Sequence, residues 1–208
     1  MKKTILALSM CTIFLATKAQ TNLLVDGGFE TYQPGPGNFT TITGGKVNGL
    51  SGKWQMVFGK GGCPGGCGQG SATIVTTEKK MGNNAIEIKV DTQVSRNDIK
   101  IYQSIAGTQA AGGYEVSFWV KASIASPVSI ELLKGTQPHP HNGNVPFAGY
   151  FTATTQWQQL KFTTNIADWT DLERTEMRVS IRINTSNALP VGPYPKKFWI
   201  DDVSIVKK

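Results

Sequence analysis

The chain has 208 residues, with 21 basic against 14 acidic side chains, a formal charge of +7, 23 glycines and three cysteines. Its lysines and arginines are scattered instead of forming a stripe, and no nucleic-acid-binding motif accompanies them, so nucleic acid is excluded as the expected partner. The length fits one domain able to bury a core unaided.

Residues 1–19, MKKTILALSMCTIFLATKA, place two lysines before an apolar run from Ile5 to Ala16 and then small residues, the layout of a secretory signal peptide with cleavage expected after Ala19. The run is shorter than the roughly 20 apolar residues that a bilayer-spanning helix needs. Cys11 follows Leu8-Ser9-Met10, a weak likeness to a lipoprotein cleavage box, and lipidation there is the minor alternative. Removal of Lys2, Lys3 and Lys18 leaves 18 basic residues against 14 acidic ones, a charge of +4 for an exported 20–208 chain.

Glycine-rich stretches at 35–52 and 59–70 read as long loops on the rim of a β-structure. The second contains Lys60-Gly61-Gly62-Cys63-Pro64-Gly65-Gly66-Cys67-Gly68-Gln69-Gly70. In an oxidising compartment a Cys63–Cys67 disulfide is the natural reading, with glycines accepting the dihedrals of so short a ring. Free thiols and a metal site are the alternatives, the latter weakened because zinc takes four ligands and none lies nearby in sequence. The order of a phosphate-binding loop is missing.

Alternation with period two dominates the rest. Strands are expected over Trp54–Phe58, Ala72–Thr76, Ala85–Val90 and Ile99–Ile105, then where Tyr114, Val116, Phe118 and Val120 alternate with polar residues, and again at Val128–Leu133. Gln158–Thr163, Arg178–Asn184 and Phe198–Val206 complete the set, with a faint helical turn over Ala167–Glu176. Many short strands without βαβ alternation describe an all-β chain, a jelly-roll β-sandwich of two antiparallel sheets. Trp54, Trp157 and Trp199 are expected in or beside the core, while Trp119 and Trp169 are the better candidates for partial exposure, with packing beneath a loop the expectation even for these two.

Several segments, taken in order, resemble the carbohydrate-binding modules of families 4, 9, 16 and 22: Asn22-Leu23-Leu24-Val25-Asp26-Gly27-Gly28-Phe29-Glu30, Gly82-Asn83-Asn84-Ala85-Ile86-Glu87-Ile88, Tyr102-Gln103-Ser104-Ile105 leading into Gly113–Ala122, Trp157-Gln158-Gln159-Leu160, and Phe198-Trp199-Ile200-Asp201-Asp202-Val203-Ser204-Ile205. The resemblance implies a jelly roll that binds a polysaccharide or oligosaccharide along one sheet without cleaving it. It also implies a structural calcium ion held by backbone oxygens at Gly28, Met81 and Asn84 and by the carboxylates of Glu30 and Asp201, a mixed oxygen set that suits calcium. For the sugar it implies Lys100, Tyr102, Arg178 and Arg182 on outward faces, with Asn97 standing where relatives often carry a tryptophan platform, a departure from xylan-like specificity.

Glu131 lies on an outward strand face beside this groove, and His139 and His141, in a proline-held loop, are candidates for sugar contact or plain solvated residues. The basic groove hints at anionic or mixed glycans, because guanidinium pairs bidentately with carboxylate or sulfate. Polysaccharide lyase chemistry is the enzymatic alternative, since tyrosine, histidine, lysine and arginine supply its proton-moving and charge-neutralising groups, whereas a glycosidase would want two flanking carboxylates. A protein-facing adhesion module is the third class. A monomer is expected, with a separate glycan-degrading enzyme as a partner in function.

Overall fold

The computed structural model describes residues 20–31, 42–43, 45–48, 54–58, 69–91, 99–135, 147–183 and 193–208. Twelve strands and one short helix lie within them: β1 (Ile42–Thr43), β2 (Gly45–Asn48), β3 (Gln55–Phe58), β4 (Gln69–Val75), β5 (Ala85–Val90), β6 (Ile99–Ser104), β7 (Gly113–Ala122), β8 (Ser126–Leu133), β9 (Phe147–Ala153), β10 (Gln158–Asn165), α1 (Asp171–Arg174), β11 (Arg178–Ile183) and β12 (Lys196–Lys207). They form two six-stranded sheets in the orders β1-β4-β5-β12-β7-β10 and β2-β3-β6-β11-β8-β9. Every strand pairing is antiparallel, so the chain is the expected β-sandwich.

The alternation in the sequence builds the core directly. Val116, Phe118 and Val120 of β7, Ile86 and Ile88 of β5, and Phe198 and Ile200 of β12 face Ile99 and Ile101 of β6, Ile130 and Leu132 of β8, and Val179 and Ile181 of β11 in one hydrophobic cluster. Burying side chains of this size contributes about 1.5–3 kcal/mol each. Two strands, β1 and β2, lie inside the 35–52 stretch that reads as a loop in the sequence, and β9 forms where no strand is expected. The faint helical turn tightens to the four residues of α1, capped by a box in which Thr170 and Glu173 satisfy each other's backbone N–H groups.

One irregularity positions the far end of the first sheet. Pairing between β12 and β7 slips between Asp201 and Ser204, and Asp202 adopts a φ of 47°. The slip is a β-bulge, which inserts an extra residue and re-aims the side chains beyond it. Phe198 and Ile200 face the core before it, and Val203 and Ile205 face the core after it. Against this stretch lies the segment around Asn22–Glu30, which forms bends and turns instead of a first strand. Leu23 N donates to Ile205 O, Val203 N to Gly27 O, and the Asn22 side chain bridges Val203 O and Ile205 N. Gln103 clasps the same segment from the second sheet, its amide accepting from Val25 N at 2.7 Å and donating to Val25 O at 2.8 Å.

Candidate functional site

The second sheet has a polar face opposite its core face, and register places its residues in cross-strand rows. Tyr150 of β9 opposes Ser129 of β8, which opposes Arg182 of β11, which opposes Lys100 of β6. The next row runs from Glu131 through Ser180 to Tyr102, and beyond it Leu133, Arg178 and Ser104 are aligned. Side chains two apart on a strand share a face, so these residues stand together. Six strands at their usual spacing make this face roughly 24 Å wide.

Five of the sequence-derived sugar candidates, Lys100, Tyr102, Glu131, Arg178 and Arg182, are thus brought onto one face of three adjacent strands. Their setting differs from the expected half-buried strands with open outer faces. Glu131 is 0% exposed, Lys100 3% and Tyr102 4%, and the hydroxyl-bearing Ser129 and Ser180 are 0% exposed. The central strands β6, β8 and β11 are therefore shielded on both faces. Solvent is reached through the half-buried Arg178 and Arg182 and at Ser104 and Tyr150, the latter 71% exposed. Asn97, His139 and His141, like Cys63, Cys67 and residues 1–19, lie outside the described residues.

The electrostatics of the face are one-sided. Arg182 Nε lies 2.7 Å from Glu131 Oε1, a buried ion pair. Arg178 donates through Nη2 to Gly135 O at 3.2 Å. The hydroxyls of Tyr102, Ser129 and Ser180 are buried with no hydrogen-bond partner among the described residues. Leaving a buried donor or acceptor unsatisfied costs about 1–3 kcal/mol, so three on one face form a ready set of contacts for a polar ligand. Ser129 and Ser180 were missed in the sequence, although their parity with Glu131 and Arg182 is the signal that would have found them.

A second cluster of the expected residues forms at the bulged end of the first sheet. Asp201, 0% exposed, accepts from Lys80 N and Met81 N through Oδ2 at 2.8 Å each, and from Asp202 N through Oδ1 at 2.7 Å. Glu30 Oε1 accepts from Asn83 N and Asn84 N, and Asn84 Nδ2 donates to Phe29 O. Gly82, at φ 53°, passes so close to Glu30 that a Cβ there would lie 2.1 Å from Oε1. A Cβ built on Gly28 would lie 3.9 Å from Glu30 Oε1 and 4.0 Å from Asp201 Oδ1, so Gly28 sits between the two carboxylates. Burial pushes the Asp201 carboxyl above its ordinary pKa, against the pull of its backbone N–H donors. No lysine or arginine pairs with it among the described residues. Two carboxylates beside a turn rich in carbonyls, one of them buried without a countercharge, fit a hard divalent cation. The described residues contain no cluster of three or more histidine, cysteine or acidic side chains, so backbone oxygens would complete any such shell.

The tryptophans follow the expectation closely. Trp54 and Trp199 are buried, as is Trp169 beneath Lys134, whereas Trp157 and Trp119 are half-buried, the latter under the Lys80 ammonium at 4.4 Å. None of the described tryptophans stands on the polar face of the second sheet. No helix among the described residues is long and apolar enough to cross a membrane.

In sequence, no protein-family model and no curated protein matches the chain. In structure it is similar to a family 61 carbohydrate-binding module solved with β-1,4-galactotriose, with a TM-score of 0.54 and 16% identity over 90% of this chain and 99% of the other. It is also similar to a family 4 carbohydrate-binding module, with a TM-score of 0.52 and 20% identity over 88% and 99% of the two chains. An apo cyclase from Fischerella sp. is similar as well, with a TM-score of 0.55 and 11% identity over 92% and 98%. At these identities the likeness is one of fold, the jelly-roll sandwich that these proteins share.

Proposed function

We propose that the chain is a secreted, non-catalytic carbohydrate-binding protein that takes a polysaccharide or oligosaccharide on the polar face of β6, β11 and β8. The observation that carries this reading is the group of buried hydroxyls, Tyr102, Ser129 and Ser180, that have no hydrogen-bond partner among the described residues and stand on one face with the charged groups of Lys100, Arg182 and Glu131. Sugar hydroxyls both donate and accept, so they complement a surface that offers both kinds of partner. The fold likeness to carbohydrate-binding modules supports the reading. The likeness to a cyclase, and a tyrosine placed beside lysine and arginine, give the enzymatic alternative a specific footing.

The same reading assigns a structural calcium ion to Glu30, Asp201 and the backbone oxygens of Gly28, Met81 and Asn84. When bound it supplies countercharge to Asp201, while the residues themselves fix the 80–84 turn and the Asn22–Glu30 segment against the bulge of β12. Export through residues 1–19, a Cys63–Cys67 staple and a handover of captured glycan to a separate degrading enzyme complete the proposal.

The test screens residues 20–208 against neutral and acidic glycans with product release followed in parallel, and repeats each positive with Tyr102→Phe and Ser180→Ala. These substitutions remove hydroxyls that bond to nothing in the described protein, so the melting temperature should hold while affinity falls about threefold to tenfold per hydroxyl. Unchanged affinity in the double variant would remove this face as the binding site. Release of unsaturated sugars would replace the binding module by a lyase.

A further inference from the structure

We infer that Tyr150 is the stacking platform of the proposed site and that the sugar it takes is a pyranose presenting an unbroken apolar face; the inference deepens the glycan-binding reading above and rests on it. Phe151 packs against the core and Ala153 belongs to it, so the alternation of β9 turns Tyr150 and Thr152 to the polar face of the second sheet. Large apolar side chains are exposed among the described residues at Val25, Met81, Ile124, Tyr150 and Leu172, and of these Tyr150 alone lies on a strand. Its strand ends the order of the second sheet among the described strands, so no further strand of that sheet bounds the ring on its outer side. On β8, Ser129 stands directly opposite Tyr150 and Pro127 opposite Thr152, which sets the half-buried Pro127 on the diagonal from Tyr150. Diagonal neighbours of this kind lie about 7–8 Å apart, within reach of an aromatic side chain.

The polar face therefore has two zones. Its β9 margin is apolar, made by Tyr150 and Pro127, and its centre carries the Tyr102, Ser129 and Ser180 hydroxyls, which have no hydrogen-bond partner among the described residues. A pyranose has the same two-part chemistry. Its axial C–H bonds make at least one apolar face, while its hydroxyls form a polar rim that both donates and accepts. Laid on an aromatic ring, the C–H face buries apolar area and sets positively polarised hydrogens against the negative face of the ring. A tyrosine does this at low entropic cost, because only two side-chain torsions are fixed. A furanose is puckered, carries substituents on both sides and offers no comparable plane. The central hydroxyls are shielded and Tyr150 is 71% exposed, so its ring is the contact that a sugar arriving from solvent makes first. From there the cross-strand row leads through Ser129 to Arg182.

The experiment measures the affinity of residues 20–208 for three pyranose polymers, a β-1,4-glucan, a β-1,4-galactan and a polyuronate, and for a fructan built of furanose rings, then repeats it with Tyr150→Ala and Tyr150→Phe. The expected result is that the unaltered protein binds at least one pyranose polymer about tenfold or more tightly than the fructan. For that polymer Tyr150→Ala should lose about tenfold and Tyr150→Phe should stay within about twofold, because phenylalanine keeps the ring face. Melting temperatures should match, since a ring 71% exposed adds little to the core. Undiminished affinity in Tyr150→Ala, or a fructan bound as tightly as the pyranose polymers, would overturn the inference while leaving glycan binding intact. A loss in Tyr150→Phe as large as in Tyr150→Ala would also overturn it, by assigning the contact to the phenolic hydroxyl. Failure of the unaltered protein to bind all four polymers would overturn both readings. The polymer comparison uses the unaltered protein, so a folding defect in either variant leaves the test decisive.

Discussion

The two sheets solve the problem of their polar faces in opposite ways. On the first sheet the outward residues neutralise one another where water also reaches them. Lys197 Nζ lies 3.0 Å from Glu87, which also accepts from Trp199 Nε1 at 2.9 Å, and Lys161 and Lys208 both approach Glu115. On the second sheet most of the polar residues are shielded, and three of their hydroxyls lack hydrogen-bond partners among the described residues. The exception on the first sheet is Asp201, a buried acid with no lysine or arginine paired to it among the described residues. The two sheets therefore have different deficits among the described residues: the first pairs no lysine or arginine with Asp201, and the second gives three buried hydroxyls no hydrogen-bond partner.

The sharpest way to break this contrast is to remove one acid from each sheet. Glu131→Ala leaves the Arg182 guanidinium shielded without its carboxylate and is expected to cost about 3–5 kcal/mol in urea unfolding. Glu87→Ala removes pairs that water can replace and is expected to cost about 1 kcal/mol or less. Equal costs would show that both faces are solvated alike. The next effect in size concerns the deficit at Asp201. Calcium at about a hundred times its Kd should stabilise the protein by about 2.7 kcal/mol, read as a calcium-dependent rise in Tm. Asp201→Asn should abolish that rise, and a rise of the same size in both proteins would remove Asp201 as a ligand.

The smallest effect lies beside neither deficit, where ion pairing is local and exposed. A hydrogen bond from Lys134 at 2.5 Å, with help from the Thr170 backbone, holds the Glu173 carboxyl below the ordinary glutamate pKa. A carboxyl depressed in the folded state adds stability above its unfolded pKa and loses it as pH falls through the folded one. Lys134→Met is therefore expected to lower Tm slightly at neutral pH, with the gap to the unaltered protein closing in acid. A gap independent of pH would mean that Lys134 acts through its stacking on Trp169 instead.

Most of the sandwich was legible because period-two alternation is a local signal, and β5, Ala85–Val90, falls where the pattern places it. The loss of β9 has an identifiable cause. Its sequence, Phe-Ala-Gly-Tyr-Phe-Thr-Ala, carries glycine near its centre, where a Cβ on Gly149 would stand 2.6 Å from the Phe151 ring and 3.2 Å from Phe162 Cβ. The glycine that reads as a break is a gap filled by neighbouring aromatics. On the polar face, the family resemblance pointed to Lys100, Tyr102, Arg178 and Arg182, with parity setting which of them share a face. The sequence does not carry the registry that sets Arg182 opposite both Lys100 and Ser129, because that registry comes from non-local pairing. Burial of the face was invisible for the same reason: serines at 129 and 180 look like ordinary solvent-facing strand residues until both faces of the sheet are seen to be shielded.

The bulge in β12 makes the effect of a change in chain length depend on where along the strand it falls. Ile200 and Val203 both reach the core only because two residues stand between them where regular alternation allows one. Removing Asp202 would restore the alternation with Ile200, Val203 and Ile205 all still on the core face and Ser204 still opposite Ser117, because the bulge holds one residue more than regular pairing needs. Loss of the bulge residue is thus a local event, whereas loss of Ser204 just beyond it would exchange the inside and outside of the end of the longest strand among the described residues.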